Sequence, residues 1–306
     1  MKIAAFEVVE ISEPLDYMLN LEPTGPISEN FEVVGFESIY LLNNMGTLAL
    51  GYLIWILAAI VSCFLKCFIY ESKRVRKTHI WLKKLLFYNS LISLMLESYS
   101  LLSVCCLINF SYISFDTYGV TVHSVACISF FIAIIVMPIY LSRTLIRAFT
   151  TLNENHMIRT YGHLYDELDL RVGKLALVQP LFFIVRRFML AIAIVVSAKH
   201  LIFQIMIMSS QIVTSAIIVG NLSPFRGQFK KKIEMFNEVI LMLVMYTIIC
   251  FSPLVTSPEI KFIIGYISMV FVSTHLVVNF TIIGKSTFRL AKIKIFIKMA
   301  KRKHVK

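Results

Sequence analysis

Residues 175–198 read LALVQPLFFIVRRFMLAIAIVVSA. Apart from Arg186 and Arg187 the stretch is uncharged. As a helix it is long enough to cross a hydrocarbon core, which takes roughly 20 mostly apolar residues. Composition decides between a bilayer span and the core of a soluble domain. Of the 306 residues, 58% are apolar and 16% charged, with a mean hydropathy of +0.78. Soluble domains hold about 45–50% apolar and about 25% charged residues, so a soluble enzyme and a disordered chain are both excluded. Six further stretches share the pattern: 46–69, 85–110, 121–142, 201–222, 237–256 and 261–284. None reads as alternating short strands, which argues against a membrane barrel. The expected fold is an all-α integral membrane protein, a bundle of seven transmembrane helices. A single membrane domain, 45–284, lies between an acidic tail, 1–44, and a basic tail, 285–306.

Charge sets the expected orientation. The net charge is +12, yet residues 1–44 hold eight acids and one base, Lys2, while residues 285–306 hold nine bases and no acid. Between spans, residues 66–84 carry seven bases, 143–174 five and 222–232 four. With seven spans these segments and the basic tail share one side and total 25 bases. Lys2, Lys199 and Lys261 fall on the other. That asymmetry follows the positive-inside rule, so the amino terminus is expected outside and the carboxyl terminus in the cytosol. Met1–Asp16 lacks the apolar core of a cleaved signal, and the first span is expected to act as its own insertion signal.

A charge at mid-bilayer is costly, from about 3 to over 10 kcal/mol, so Arg186 and Arg187 demand compensation. Glu97 is the only acid between Glu71 and Asp116. Counted from the basic edges at Lys84 and Lys174, it lies at matching depth, and an intramembrane ion pair of Glu97 with Arg186 or Arg187 is expected. Such a pair serves either packing register or an ion or substrate route. Glu238, beside Asn237, opens the sixth span; His275 and Asn279 lie one turn apart in the seventh. All three are candidates to line the same polar interior. His123, near the outer face of the third span, reads as a packing histidine. The six cysteines all fall in or beside spans. Cys67, at the cytosolic edge of the first, is a candidate for palmitoylation. In the last segment Lys292, Lys294, Lys298, Lys301, Arg302 and Lys303 alternate with apolar residues, the pattern of a tail that meets anionic lipid at the cytosolic face.

No phosphate-binding glycine loop, His-Glu-x-x-His or Gly-x-Ser-x-Gly occurs, and the chain has only 11 glycines. Catalysis, a metal site and a bound cofactor are therefore not expected, and neither is nucleic acid as a partner. Seven spans suggest a receptor. However, the third span ends Leu141-Ser142-Arg143-Thr144 without an acidic-Arg-aromatic triplet, and Val278-Asn279-Phe280-Thr281 lacks Asn-Pro-x-x-Tyr. A receptor not of rhodopsin type and a non-conducting scaffold subunit remain alternatives. So does self-association, or membership of a larger membrane complex.

Several short runs resemble one family in order. They are Gly35-Phe36-Glu37-Ser38 with Leu42-Asn43-Asn44-Met45-Gly46, Leu86-Phe87-Tyr88-Asn89 with Glu97-Ser98-Tyr99, and Tyr161-Gly162-His163-Leu164-Tyr165. Arg186-Arg187, Gln211, Ser223-Pro224-Phe225 and Glu234-Met235-Phe236-Asn237-Glu238 follow. The series is similar to the carboxyl-terminal multi-span membrane module of ciliate cell-surface proteins, itself distantly similar to the fungal TRP-like channel and flavin-carrier family. The resemblance covers roughly residues 35–284. It implies a surface-membrane protein of cation-channel-like ancestry, with Glu97, Arg186, Arg187, Glu234 and Glu238 as candidate positions. Where family members carry a large cysteine-rich exterior region, this chain has an acidic tail of 44 residues.

Overall fold

A computed structural model describes residues 25–27, 29–36, 38–67, 75–80, 82, 90–152, 154–165, 168–198, 200–222, 225–252 and 255–303. Most of the acidic tail, including its first 24 residues, lies outside them. The described residues are helical, with a single isolated antiparallel bridge between Leu168 and Phe225. Two short helices, α1 (Glu29–Val34) and α2 (Leu41–Met45), precede α3 (Thr47–Cys67), α4 (Ser90–Phe110) and α5 (Tyr118–Arg147). Then come the short α6 (Asn155–Tyr165), α7 (Val178–Val195), α8 (Leu201–Ile217), α9 (Gln228–Cys250) and α10 (Pro258–Lys303). Seven of these, α3, α4, α5, α7, α8, α9 and α10, are long and apolar enough to cross a membrane. The sixth begins at Gln228, nine residues before the expected 237. Gln, Lys and Glu are good helix formers, so the polar turn Lys230–Glu234 joins the helix although it lowers the hydropathy. The chain divides into two compact units, residues 1–207 with 221–227, and residues 208–220 with 228–306.

In the first unit α4 packs along both α7 and α5. It can do so because its inward face ends in small thiols: Cys105 and Cys106, with Cys127 of α5, are wholly buried. Small side chains let helix backbones approach closely in lipid. Two of its serine hydroxyls donate within the helix, Ser98 Oγ to the Leu94 carbonyl and Ser103 Oγ to the Tyr99 carbonyl, both at 2.7 Å. Pro138 interrupts α5. Having no N–H, it strips the carbonyl four residues earlier of its helical donor, and the buried Tyr99 hydroxyl of α4 donates to that Ile134 carbonyl at 3.0 Å.

Both ends of this unit are tied. At one end Asn109 Nδ2 donates to the Ile39 carbonyl at 3.0 Å, and the Leu42 N–H donates to His123 Nδ1 at 3.3 Å, with Tyr40 stacked 4.8 Å from the imidazole. The segment before α2 therefore shares a face with the α4–α5 loop. At the other end Tyr165, Leu168, Ala176 and Leu177 bury together with Leu145 and Leu152, and Phe225 packs on them. The Leu168–Phe225 bridge joins the α5–α7 and α8–α9 connections at this end.

In the second unit α9 and α10 form an antiparallel hairpin. Asn237 meets Asn279, and fourteen residues further on, just past the end of α9, Phe251 lies against Gly265, fourteen residues back along α10. The register is thus constant along the pair. α8 ends in a π-turn, Ile218–Leu222, and a Cβ on its Gly220 would lie 3.1 Å from the Met235 methyl. α10 runs unbroken past residue 284 to Lys303, carrying the basic segment in the same helix.

If Tyr99 replaces the donor that Pro138 removes, Tyr99→Phe should cost about 1–3 kcal/mol by leaving a buried carbonyl bare. Adding Pro138→Ala should return most of that stability by restoring the backbone N–H. Thermal unfolding of the two single variants and the double variant in one detergent checks the cycle.

Candidate functional site

Each unit holds one polar assembly among its long apolar helices. In the first, Arg186 and Arg187 are half-buried on α7. Arg187 Nη1 donates to the Leu96 carbonyl of α4, and its guanidinium sits 4.2 Å from the Phe183 ring centroid, one turn earlier on its own helix. A guanidinium on an aromatic face and a carbonyl keeps its charge while leaving water. Glu97 follows Leu96 in sequence, so the structure brings the acid and the arginines to touching helices. Its carboxylate is near enough to attract Arg187 electrostatically. Among the described residues, however, no ion pair forms on Glu97, and its side chain is exposed. Arg186 is engaged separately. Beside this contact the Tyr52 and Ser98 hydroxyls share a 2.7 Å hydrogen bond, joining α3 to α4.

In the second unit Glu238 is 7% exposed and Ser215 2%. Ser215 Oγ donates to Glu238 Oε1 at 2.7 Å. One residue away, Asn237 Oδ1 accepts from Asn279 Nδ2 at 3.0 Å, and the same amide donates to the His275 carbonyl at 2.9 Å. Adjacent α9 residues point about 100° apart, so Glu238 addresses α8 while Asn237 addresses α10. One turn before Ser215, Gln211 Nε2 is buried and, among the described residues, makes no hydrogen bond. Below them Lys231 Nζ donates to the Gly220 carbonyl at 3.0 Å. That carbonyl lies in the π-turn, where i→i−4 pairing lapses and π-turns recur at functional sites.

Glu97 and the arginines thus belong to the first unit, and Glu238, His275 and Asn279 to the second. Sequence reading missed Ser215 and the π-turn, and reached Gln211 through the family resemblance alone. The available signal was polar spacing, since Gln211 and Ser215 fall at i and i+4 within an apolar span. Lys292 is exposed on α10. The side chains of Lys294, Lys298, Lys301, Arg302, Lys303 and Cys67 lie outside the described residues. Compared with protein-family models, with curated proteins and with solved structures, the chain matches none.

The arginine contact has a measurable asymmetry. Arg187→Gln should cost about 2–3 kcal/mol, because it strips a charge-assisted bond and leaves a polar side chain at depth. Glu97→Gln should cost less than about 1 kcal/mol, as exposed pairs do. A double-mutant cycle by thermal unfolding checks this, and a coupling above about 2 kcal/mol would assign Glu97 a direct pair instead.

Proposed function

We propose that the chain is a multi-pass membrane transport protein of channel or carrier type, whose route runs along the polar row of α8, α9 and α10. The observation that carries this reading is the Glu238–Ser215 contact. An acid inside a span is costly and is kept where it serves an ion, a proton or a substrate, and here the Ser215 hydroxyl donates to the buried Glu238 Oε1. The buried amide of Gln211, one turn away, offers a donor to whatever enters. Glu97 adds support from the first unit. A carboxylate exposed within a span is expensive against lipid, so water or a polar partner is its fitting neighbour. The resemblance to the ciliate surface module and its TRP-like relatives agrees with a cation as the transported species and the plasma membrane as the location.

Flux tests the reading. Purified protein in liposomes should pass small cations down a gradient, read by an entrapped fluorescent ion indicator. Glu238→Gln should lower that flux by about tenfold, the equivalent of one lost interaction of about 1.4 kcal/mol, at unchanged melting temperature. Ser215→Ala should lower it less. Sealed, flux-free wild-type vesicles would overturn transport in favour of a scaffold; unaltered flux in both variants would move the route away from α8 and α9.

A further inference from the structure

A pocket of the first unit opens on the base-rich face, outside the spans. Asp169, Leu170, Arg171, Arg226 and Gly227 line it. Two connections far apart in sequence build it. The Leu168–Phe225 bridge clips the α5–α7 segment to the α8–α9 segment, and the cluster of Leu145, Leu152, Tyr165 and Leu177 fixes both from beneath. The residues just past the clip on each strand, Asp169–Arg171 and Arg226–Gly227, are thereby forced together. Gly173 and Gly227 both sit at φ +91°, the left-handed region open to glycine, and these turns bring the backbone back around the pocket.

Charge and partners then define what fits. Two arginines and one aspartate line it, and Asp169 Oδ1 already accepts the Arg171 backbone N–H at 3.1 Å. Among the described residues neither Arg171 nor Arg226 makes an ion pair; both are exposed. Asp166 and Glu167 lie outside the described residues. A paired guanidinium fork matches the tetrahedral oxygens of a phosphate bidentately. The surroundings favour a lipid source. Val172 and Leu175, next to Arg171 and just ahead of α7, are 41% and 57% exposed. Apolar side chains flanking an arginine at the foot of a span suit the boundary between head groups and acyl chains, where basic pockets hold anionic head groups.

We propose that the Arg171–Arg226 pocket binds a phosphate group, presented by the head group of an anionic phospholipid. The site is separate from the route suggested above and stands whether or not the chain transports ions. Native mass spectrometry of the full chain in detergent, titrated with a phosphatidylinositol monophosphate, reads it directly. One tight lipid should bind, and R171Q/R226Q should weaken it at least about tenfold, the loss expected for a charge-assisted bond. R171K/R226K, keeping charge but not the forks, should fall between. K285Q/R289Q, an equal charge loss on exposed α10 positions, should change affinity by less than about threefold. Melting temperatures in phosphate-free buffer should match wild type, which separates lost binding from lost folding. Titration with inorganic phosphate distinguishes the source. Competition that depends on both arginines and equals the lipid in strength would make free phosphate the ligand and overturn the lipid assignment. Equal losses in R171Q/R226Q and K285Q/R289Q, or no loss in either, would overturn the pocket altogether.

Discussion

A helix that crosses lipid must satisfy every backbone carbonyl from within the protein, because no water is there to do it. Two side-chain contacts in this chain answer to that constraint, and a third adds a donor to a carbonyl within a regular helix. Pro138 withholds an N–H from Ile134, and Tyr99 supplies an O–H across the α4–α5 contact. The π-turn at the end of α8 sets Gly220 outside ordinary pairing, and Lys231 of α9 supplies an ammonium. The Leu96 carbonyl takes a guanidinium from Arg187 across the α4–α7 contact. Each contact places a polar side chain of one helix on the backbone of another, so each also fixes where two helices meet. Apolar packing alone would leave that axial position loose, since lipid tails are as apolar as leucine.

The same constraint explains what could be read from the chain and what could not. Span count followed from hydropathy because twenty apolar residues admit few alternatives. The start of α9 did not, since Lys230, Lys231 and Lys232 lower the average yet favour helix. Arg186 and Arg187 announced a need for compensation, and the depth arithmetic chose the right neighbouring helix. It nominated the carboxylate of Glu97, whereas Arg187 reaches one residue earlier, to the Leu96 carbonyl. Backbone acceptors are invisible to a reading that looks for opposite charges. Ser215 was passed over for a similar reason, since a serine inside a span is ordinary until a carboxylate is found against it. The resemblance to a ciliate module singled out Gln211 and Glu238, and spacing alone would have left Gln211 unremarked.

The two polar assemblies differ in what holds them. Arg187 is gripped from two sides, by an aromatic face and a carbonyl, and neither changes protonation or leaves easily. A cation held that way acts as a pin. Glu238 is met on one oxygen by a hydroxyl, a donor that can rotate to another acceptor at little cost. Beside it lies an amide with an unused donor, and below it a turn whose backbone has departed from regular helix. Reversible binding calls for weak, exchangeable contacts near a fixed charge. The proposed route along α8 to α10 rests on that contrast, with the α4–α7 contact as its support.

Glu97 fits neither description, and its exposure is the informative feature. An acid left on the outer surface of a helical unit within a span draws only electrostatic attraction from Arg187, whose Nη1 donates to the Leu96 carbonyl instead. Insertion scales put such an acid at about 3 kcal/mol against lipid, more than the attraction of one nearby cation returns at an exposed site. Were the helix to face lipid there, the fitting neighbours of that surface would be water, a polar partner or a second copy. The first would extend a hydrated route to α4, while the other two would make Glu97 part of an assembly contact. In both cases the carboxylate marks a surface of the first unit where lipid alone is an unfavourable neighbour.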